Sequence, residues 1–312
     1  MALPVRRRLC RRGSLLAAWL GVLSGLVVMT SGAACHATFS ILALERSSGR
    51  FGFASASCVP LETLQRVFEE VPSRGAVATQ SYLLDGDLGR KTAVEKLTLG
   101  WSASQTLDAL LDPVFDPEAD KRQYMVIDAE GGLASHTGPL ANAYAADATR
   151  TEGDWVVVSA GNFLTGPEVL QRALAGFYDA SACDLADRLQ RAISLAGSAG
   201  HGDARCVQEG RAAQSAWLVV GDLDLRVATP DAPSSEDPLD ELASQYAAWR
   251  ATHPCPPEPA SGGNDAAAEP STGSCNLARG REPSASAWSC IVPLLLVRRR
   301  RRVAVARAEC NR

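Results

Sequence analysis

Histidine is scarce in this chain, with four in 312 residues, and neither a CxxC pair nor an HExxH motif occurs. So few and so scattered, the histidines exclude the usual clustered metal centre and leave no metal ligand set to name. No cofactor-binding fingerprint is read either. Positive charge is short in the middle of the chain. Residues 38–275 hold 17 basic and 33 acidic side chains, a net of −16. A domain of that charge has no electrostatic footprint for phosphate backbones, so nucleic acid is excluded as a partner. Long apolar runs are also missing beyond the N-terminus. The run AWSCIVPLLLV (287–297) has 11 residues, against the roughly 20 that span a bilayer as a helix.

What is present at the two ends is informative. Residues 1–13 carry Arg6, Arg7, Arg8, Arg11 and Arg12 with no acid, and residues 14–30 (SLLAAWLGVLSGLVVMT) are apolar before a stretch of small residues. A basic segment, an apolar segment and a small-residue zone together read as a secretory signal peptide over 1–37. The Arg11-Arg12 pair leaves the twin-arginine route open. Toward the C-terminus, residues 254–274 form a Pro/Gly/Ser/Ala-rich linker too poor in apolar residues to fold. Residues 275–312 then supply Cys275, the short apolar run and RRRRR (298–302). This tail resembles a MYXO-CTERM sorting segment, with Pro293 in the apolar run and ten residues after the arginines as departures from that pattern. Membrane contact is therefore expected only through the terminal segments. The expected folded part is 38–253, long enough for one domain with its own core.

Within that part the patterns alternate in blocks. TFSILAL, FGFASASCV, GAVATQSY (75–82), strands 123–128 and 132–137 around DAEGG, WVVVSAGNFL (155–164), QSAWLVVGD (214–222) and DLRVA read as strands. LETLQRVFEEV has helical apolar spacing. KTAVEKLTLG, ASQTLDALLD (with Ser102 or Ser104 as N-cap), PEVLQRALAGFYDA (with Pro167 at N1), DLADRLQRAISLA and EDPLDELASQYAAWRATH read as helices. Blocks of strands with pairs of helices between them suit two antiparallel sheets with helices outside. Of the nine cysteines, Cys58, Cys183 and Cys206 fall within the fold. The reading pairs Cys183 with Cys206 across a helix and loop, and leaves Cys58 as a small buried thiol.

ATFSILAL, FGFASASCV, GAVATQSY, RQYMVID with GLASHTG, SAGNFLTGPEV, and GDARC with QSAWLVV are similar, in order and spacing, to the family called domain of unknown function 1028. The resemblance covers about residues 37–250. It implies an α+β fold of the N-terminal nucleophile (Ntn) hydrolase type, a four-layer αββα sandwich of two antiparallel sheets, and an amide-bond hydrolase that needs no cofactor. It implies a small-molecule or peptide-like amide as partner and leaves a homo-oligomer open; it names no substrate.

The Ntn resemblance can be checked against the residues. A hydroxyl is a poor nucleophile without an adjacent base. A free α-amine, with an ordinary pKa of about 7.7–8.0, can be that base if the nucleophile is residue one. Ala37 and Cys35 occupy the −1 and −3 positions of an A-x-A-like site, so a cut there leaves Thr38 first. A cut after Ala34 leaves Cys35 first instead, as in a lipid-anchored protein, with Thr38 an ordinary strand residue. Asn162, after Gly161 at a strand end, is read either as an oxyanion donor or as turn chemistry. Asp203 and Arg205 in GDARC either hold the α-ammonium and a substrate carboxylate or pair with each other. Gln80 and Thr79 in AVATQSY, with Ser57 and Ser55 sharing one face of FASASCV, are the remaining pocket candidates. His136 and His201 are read as surface or loop residues. A non-catalytic, surface-displayed binding or assembly module is the alternative.

Overall fold

Alternating side-chain direction along the strands sorts the buried residues into three apolar layers. The computed structural model describes residues 38–229 and 236–255; the leader, the linker beyond Cys255 and the C-terminal tail read from the sequence lie outside the described residues. The elements run β1 (Thr38–Glu45), β2 (Arg50–Ser57), α1 (Leu61–Leu64), β3 (Phe68–Val71), β4 (Gly75–Ser81), α2 (Leu88–Thr98), α3 (Ala103–Leu110), β5 (Arg122–Asp128) and β6 (Leu133–Thr137). They continue with β7 (Ala146–Glu152), β8 (Trp155–Asn162), α4 (Glu168–Phe177), α5 (Leu185–Ala196), α6 (Ala204–Val207), β9 (Ser215–Val220), β10 (Leu223–Ala228) and α7 (Pro238–Thr252).

One sheet has six strands in the order β10-β9-β2-β1-β8-β7, and the other has four in the order β3-β4-β5-β6. Every pairing is antiparallel. In β1, Phe39, Ile41 and Ala43 face α4, α5 and α7, while Leu42 and Leu44 face the other sheet. The period of two makes both faces of the central strands apolar, as a strand buried on both sides requires. Ala76, Ala78, Met125 and Ile127 meet Leu42, Phe53, Val156 and Val158 between the sheets. On the far side of the smaller sheet, Val77, Tyr124 and Val126 pack with Ala93, Leu97, Leu107 and Leu110 of α2 and α3. The result is the four-layer αββα sandwich. Gly176 brings α4 and α5 together, because a Cβ there would sit 2.7 Å from the Arg191 carbonyl oxygen.

Several local expectations are met by named contacts. Ser102 caps α3 in a capping box, its hydroxyl accepting from the Gln105 N–H at 3.2 Å while Gln105 Oε1 accepts from the Ser102 N–H at 3.0 Å. Others are corrected. LETLQRVFEEV is not one helix but a single turn, α1, followed by β3. Phe68 serves the sheet instead, stacking on Phe53 with ring centroids 4.5 Å apart; pairing with β4 overrides the helical spacing. Pro167 is the N-cap of α4 and not its first helical residue. β7 was not expected, because ADATRTE has no large apolar side chain, and as an edge strand it needs only Ala146 and Ala148 against the core. His136 lies within β6, partly buried, with Nε2 3.2 Å from the Ala119 carbonyl oxygen.

The cysteine reading is also corrected. Cys58 pairs with Cys206, and Cys183 pairs with Cys255, with Cα–Cα distances of 5.6 and 5.7 Å. A Cys183–Cys206 bridge is ruled out because those residues serve different junctions. Cys183 precedes α5, where the end of α7 brings Cys255 alongside, whereas Cys206 sits in α6 against the end of β2. Arg250 of α7 reinforces the first junction, donating to both Asp184 oxygens at 2.6 and 2.8 Å. Burial raises the Asp184 pKa, but Arg250 and the Asp187 N–H outweigh it, and the net value lies below the usual carboxylate range. The stabilisation from Asp184 is therefore present above its unfolded pKa, near 3.9, and is lost as pH falls through the lower folded value.

Candidate active site at the start of the first strand

The layer between the sheets changes character along β1 and β2. At one end it is lined by Leu42, Leu44, Phe51 and Phe53; at the other by Thr38, Ser40, Ser55 and Ser57, all buried. Polar side chains at these positions follow from the strand period: Thr38 and Ser40 share a face with Leu42 and Leu44, and Ser55 and Ser57 share one with Phe51 and Phe53. The facing sheet adds Gln80 from β4 and Gln123 from β5, and the neighbouring strand β8 adds Asn162, each at most 1% exposed.

Hydrogen bonds join the group in two sets, Thr38 with Ser57 and Ser40 with Ser55, Gln80, Gln123 and Asn162. Thr38 Oγ1 donates to Ser57 Oγ at 3.3 Å. Ser40 Oγ lies 2.8 Å from Ser55 Oγ and donates to Gln80 Oε1 at 2.8 Å. Gln80 Nε2 donates to Gln123 Oε1 at 3.1 Å, and Asn162 Nδ2 donates to the same oxygen at 2.9 Å. Thr38 is the register partner of Asn162 across β1 and β8. Among the described residues, the buried oxygens left without a partner include Asn162 Oδ1 and Ser81 Oγ.

Asp203 stands beside this cluster and ties its walls together. It is fully buried and caps α6. Its Oδ2 accepts from the Cys58 N–H at 2.8 Å, so it holds the residue that follows Ser57. Arg205 grips both oxygens, with Nε 3.1 Å from Oδ1 and Nη2 2.8 Å from Oδ2. The Ala204 N–H donates to the Phe163 carbonyl at 2.7 Å, which links the same loop to the end of β8. The Cys58–Cys206 bridge fastens this arrangement. Asp203 and Arg205 are thus joined to each other in a buried–exposed ion pair.

The sequence-named residues Thr38, Ser57, Gln80 and Asn162 meet in one cluster, with Asp203 at its margin. Thr79 lies on the other face of β4, away from the cluster. Gln123 was missed. Its signal was available: in RQYMVID it shares a strand face with Met125 and Ile127, and an amide there has to be satisfied by other buried groups.

The chemistry open to this group depends on the backbone nitrogen of Thr38. No side chain of the hydroxyl and amide cluster itself titrates near neutrality, so none can take the Thr38 proton. While Thr38 is joined to Ala37, its nitrogen is an amide and has no basic lone pair. A cut before Thr38 converts that nitrogen into an amine beside the hydroxyl. Among the described residues no group of three or more His, Cys, Asp or Glu side chains could hold a metal, and no helix is long and apolar enough to cross a membrane.

An αββα sandwich with a buried hydroxyl cluster at the tip of its first strand defines the class of protein. The particular family follows from comparison: residues 38–242 match the family of unknown function DUF1028, and the chain belongs to it. The matched region begins at Thr38. A crystal structure of protein SPO2555 from Silicibacter pomeroyi, which carries the same family description, is similar in fold, with a TM-score of 0.55 and 22% identity over 69% of this chain and 86% of that one. No curated protein matches the chain.

Proposed function

We propose that the chain is an exported Ntn-type amidohydrolase whose nucleophile and general base are both Thr38. The observation that carries this reading is the position of Thr38: first residue of β1 and of the family match, buried, with its hydroxyl in a cluster that contains no side-chain base. A hydroxyl so placed becomes useful only when its own nitrogen is freed. The amine takes the Oγ1 proton as the oxygen attacks the amide carbonyl, and returns it to the departing amine as the carbonyl re-forms. Water then releases the acyl group from Thr38 by the same proton route. Asn162 keeps a second Nδ2 hydrogen beyond the one given to Gln123, and that hydrogen is the side-chain donor for the oxyanion.

Ser57 and Gln80 shape the floor of the site. Asp203 and Arg205 hold its wall, and Arg205, with a third of its side chain exposed, is the cation offered to a substrate carboxylate. Export is supported by the leader composition and by two disulfides, which persist in oxidising compartments. The terminal segments then provide the membrane contact and the envelope address. The substrate is a small or peptide-like amide, no cofactor is needed, and a homo-oligomer is compatible with this chemistry.

The burial of Thr38 in the uncut chain favours one other reading, a surface-displayed binding module on the same fold. The two separate on a covalent intermediate. With the chain that begins at Thr38, a panel of simple N-acyl amides and esters is expected to leave an acyl adduct in intact-mass spectra, mapped to the Thr38 peptide. Absence of any adduct or turnover across the panel, with the pocket open in the cut chain, would favour the binding module.

A further inference from the structure

The direction of the amide groups in the cluster is fixed by what they touch. One end of the Gln123 amide meets the Gly161 carbonyl at 2.8 Å, the Ala146 carbonyl at 3.2 Å and Thr137 Oγ1 at 3.1 Å. Carbonyl oxygens only accept, so that end is Nε2. Thr137 accepts there as well, because its own proton goes to Asp147 Oδ1 at 2.6 Å. Oε1 of Gln123 therefore faces Gln80 and Asn162, and only a donor can meet it. Asn162 has to turn Nδ2 toward Gln123, which leaves its Oδ1 on the other side. That oxygen is buried in a fully buried residue and has no partner among the described residues. A buried acceptor left unpaired is costly and calls for an explanation.

We propose that Gln123 is a positioning residue that holds the Asn162 amide with Oδ1 toward the β1 tip, and that Oδ1 accepts a hydrogen bond from the α-amine formed by cutting before Thr38. This rests on the proposed function above and adds a specific role for two side chains. Asn162 is opposite Thr38 in register, and both side chains point between the sheets, so they are direct cross-strand neighbours. An N–H of the amine directed at Oδ1 turns the nitrogen lone pair away from Asn162 and toward Thr38 Oγ1. The orphaned oxygen of the uncut chain is then a prepared half of a bond that processing completes. Ammonium and amine can both donate to it, so it holds the base in place throughout the proton cycle.

The test uses residues 38–312 with Thr38 at the N-terminus and cyanate as the probe. Carbamylation of the α-amine is followed by mass spectrometry of the N-terminal peptide between pH 5 and 9. Asn162→Asp places a carboxylate where Oδ1 stood, and is expected to raise the midpoint of the titration by about one pH unit. Gln123→Met, which touches neither Thr38 nor the amine, is expected to shift the midpoint as well and to lower kcat about tenfold or more while KM changes little. A merely structural Gln123 would leave the midpoint in place. Should either variant fail to fold, a crystal structure of the wild-type chain beginning at Thr38 decides: Oδ1 is expected within about 3.2 Å of the Thr38 nitrogen. An unmoved midpoint in folded Asn162→Asp, or Nδ2 facing that nitrogen, would overturn the proposal. The hydrogen bond is read without any substrate. A chain that shows it but hydrolyses nothing counts against the proposed function alone, and an active Thr38 enzyme without it counts against this inference alone.

Discussion

Thr38→Ala is expected to reduce amide hydrolysis by the cut chain roughly 10³-fold or more, the scale seen when a nucleophile is removed from a site that otherwise stays intact. The fold should survive. The hydroxyl makes one long bond, 3.3 Å to Ser57, so its loss costs at most about 1 kcal/mol. Thr38→Ser keeps a hydroxyl beside the amine and is expected to retain measurable turnover. The acid limb of the wild-type kcat/KM profile should reflect the α-amine, near its ordinary value of about 7.7–8.0 less whatever burial removes. Activity is thus lost as the amine protonates. The check is a kinetic comparison of the three chains, with circular dichroism to show equal folding. Thr38→Ala at wild-type rates would end the nucleophile assignment.

The second large effect concerns the Cys58–Cys206 bridge. It closes a separation of 148 residues, for which loop-closure entropy gives about 5 kcal/mol as an upper figure. Folded domains have only about 5–15 kcal/mol in total, so Cys58→Ala with Cys206→Ala should lower the urea midpoint sharply, by about 3–5 kcal/mol in stability. It should also lower activity more than stability alone explains, because Cys58 donates to Asp203 and follows Ser57. The Cys183–Cys255 bridge spans 72 residues and is backed by the bidentate Arg250–Asp184 pair. Its removal should cost about 2–4 kcal/mol and leave the site working. Equal loss of activity from both pairs would contradict the placing of Cys58–Cys206 as the brace of the site wall.

Much of the fold was legible because the strands announce themselves by period. TFSILAL and WVVVSAGNFL became β1 and β8, and the face shared by Ser55 and Ser57 does point to Thr38. Where local spacing is ambiguous the sequence misleads: Val67, Phe68 and Val71 fit a helix as well as a strand, and only pairing with β4 decides. β7 was hidden because an edge strand needs few apolar residues. The disulfides were misread for a different reason. Composition places Cys255 in the linker, yet the helix before it returns the chain to the start of α5. Gln123 shows the limit for the site itself. A single amide in an apolar strand says that a buried network exists, but which way each amide points emerges only from the carbonyls of Gly161 and Ala146, contributed by distant strands.

The central claim is that Thr38 becomes the first residue of the working protein. Intact-mass and N-terminal sequencing of the protein recovered from its native envelope tests this most directly. A chain beginning at unmodified Thr38 is expected. A chain that retains Cys35, acylated or free, would contradict it, leaving the Thr38 nitrogen an amide and the hydroxyl beside it without a base.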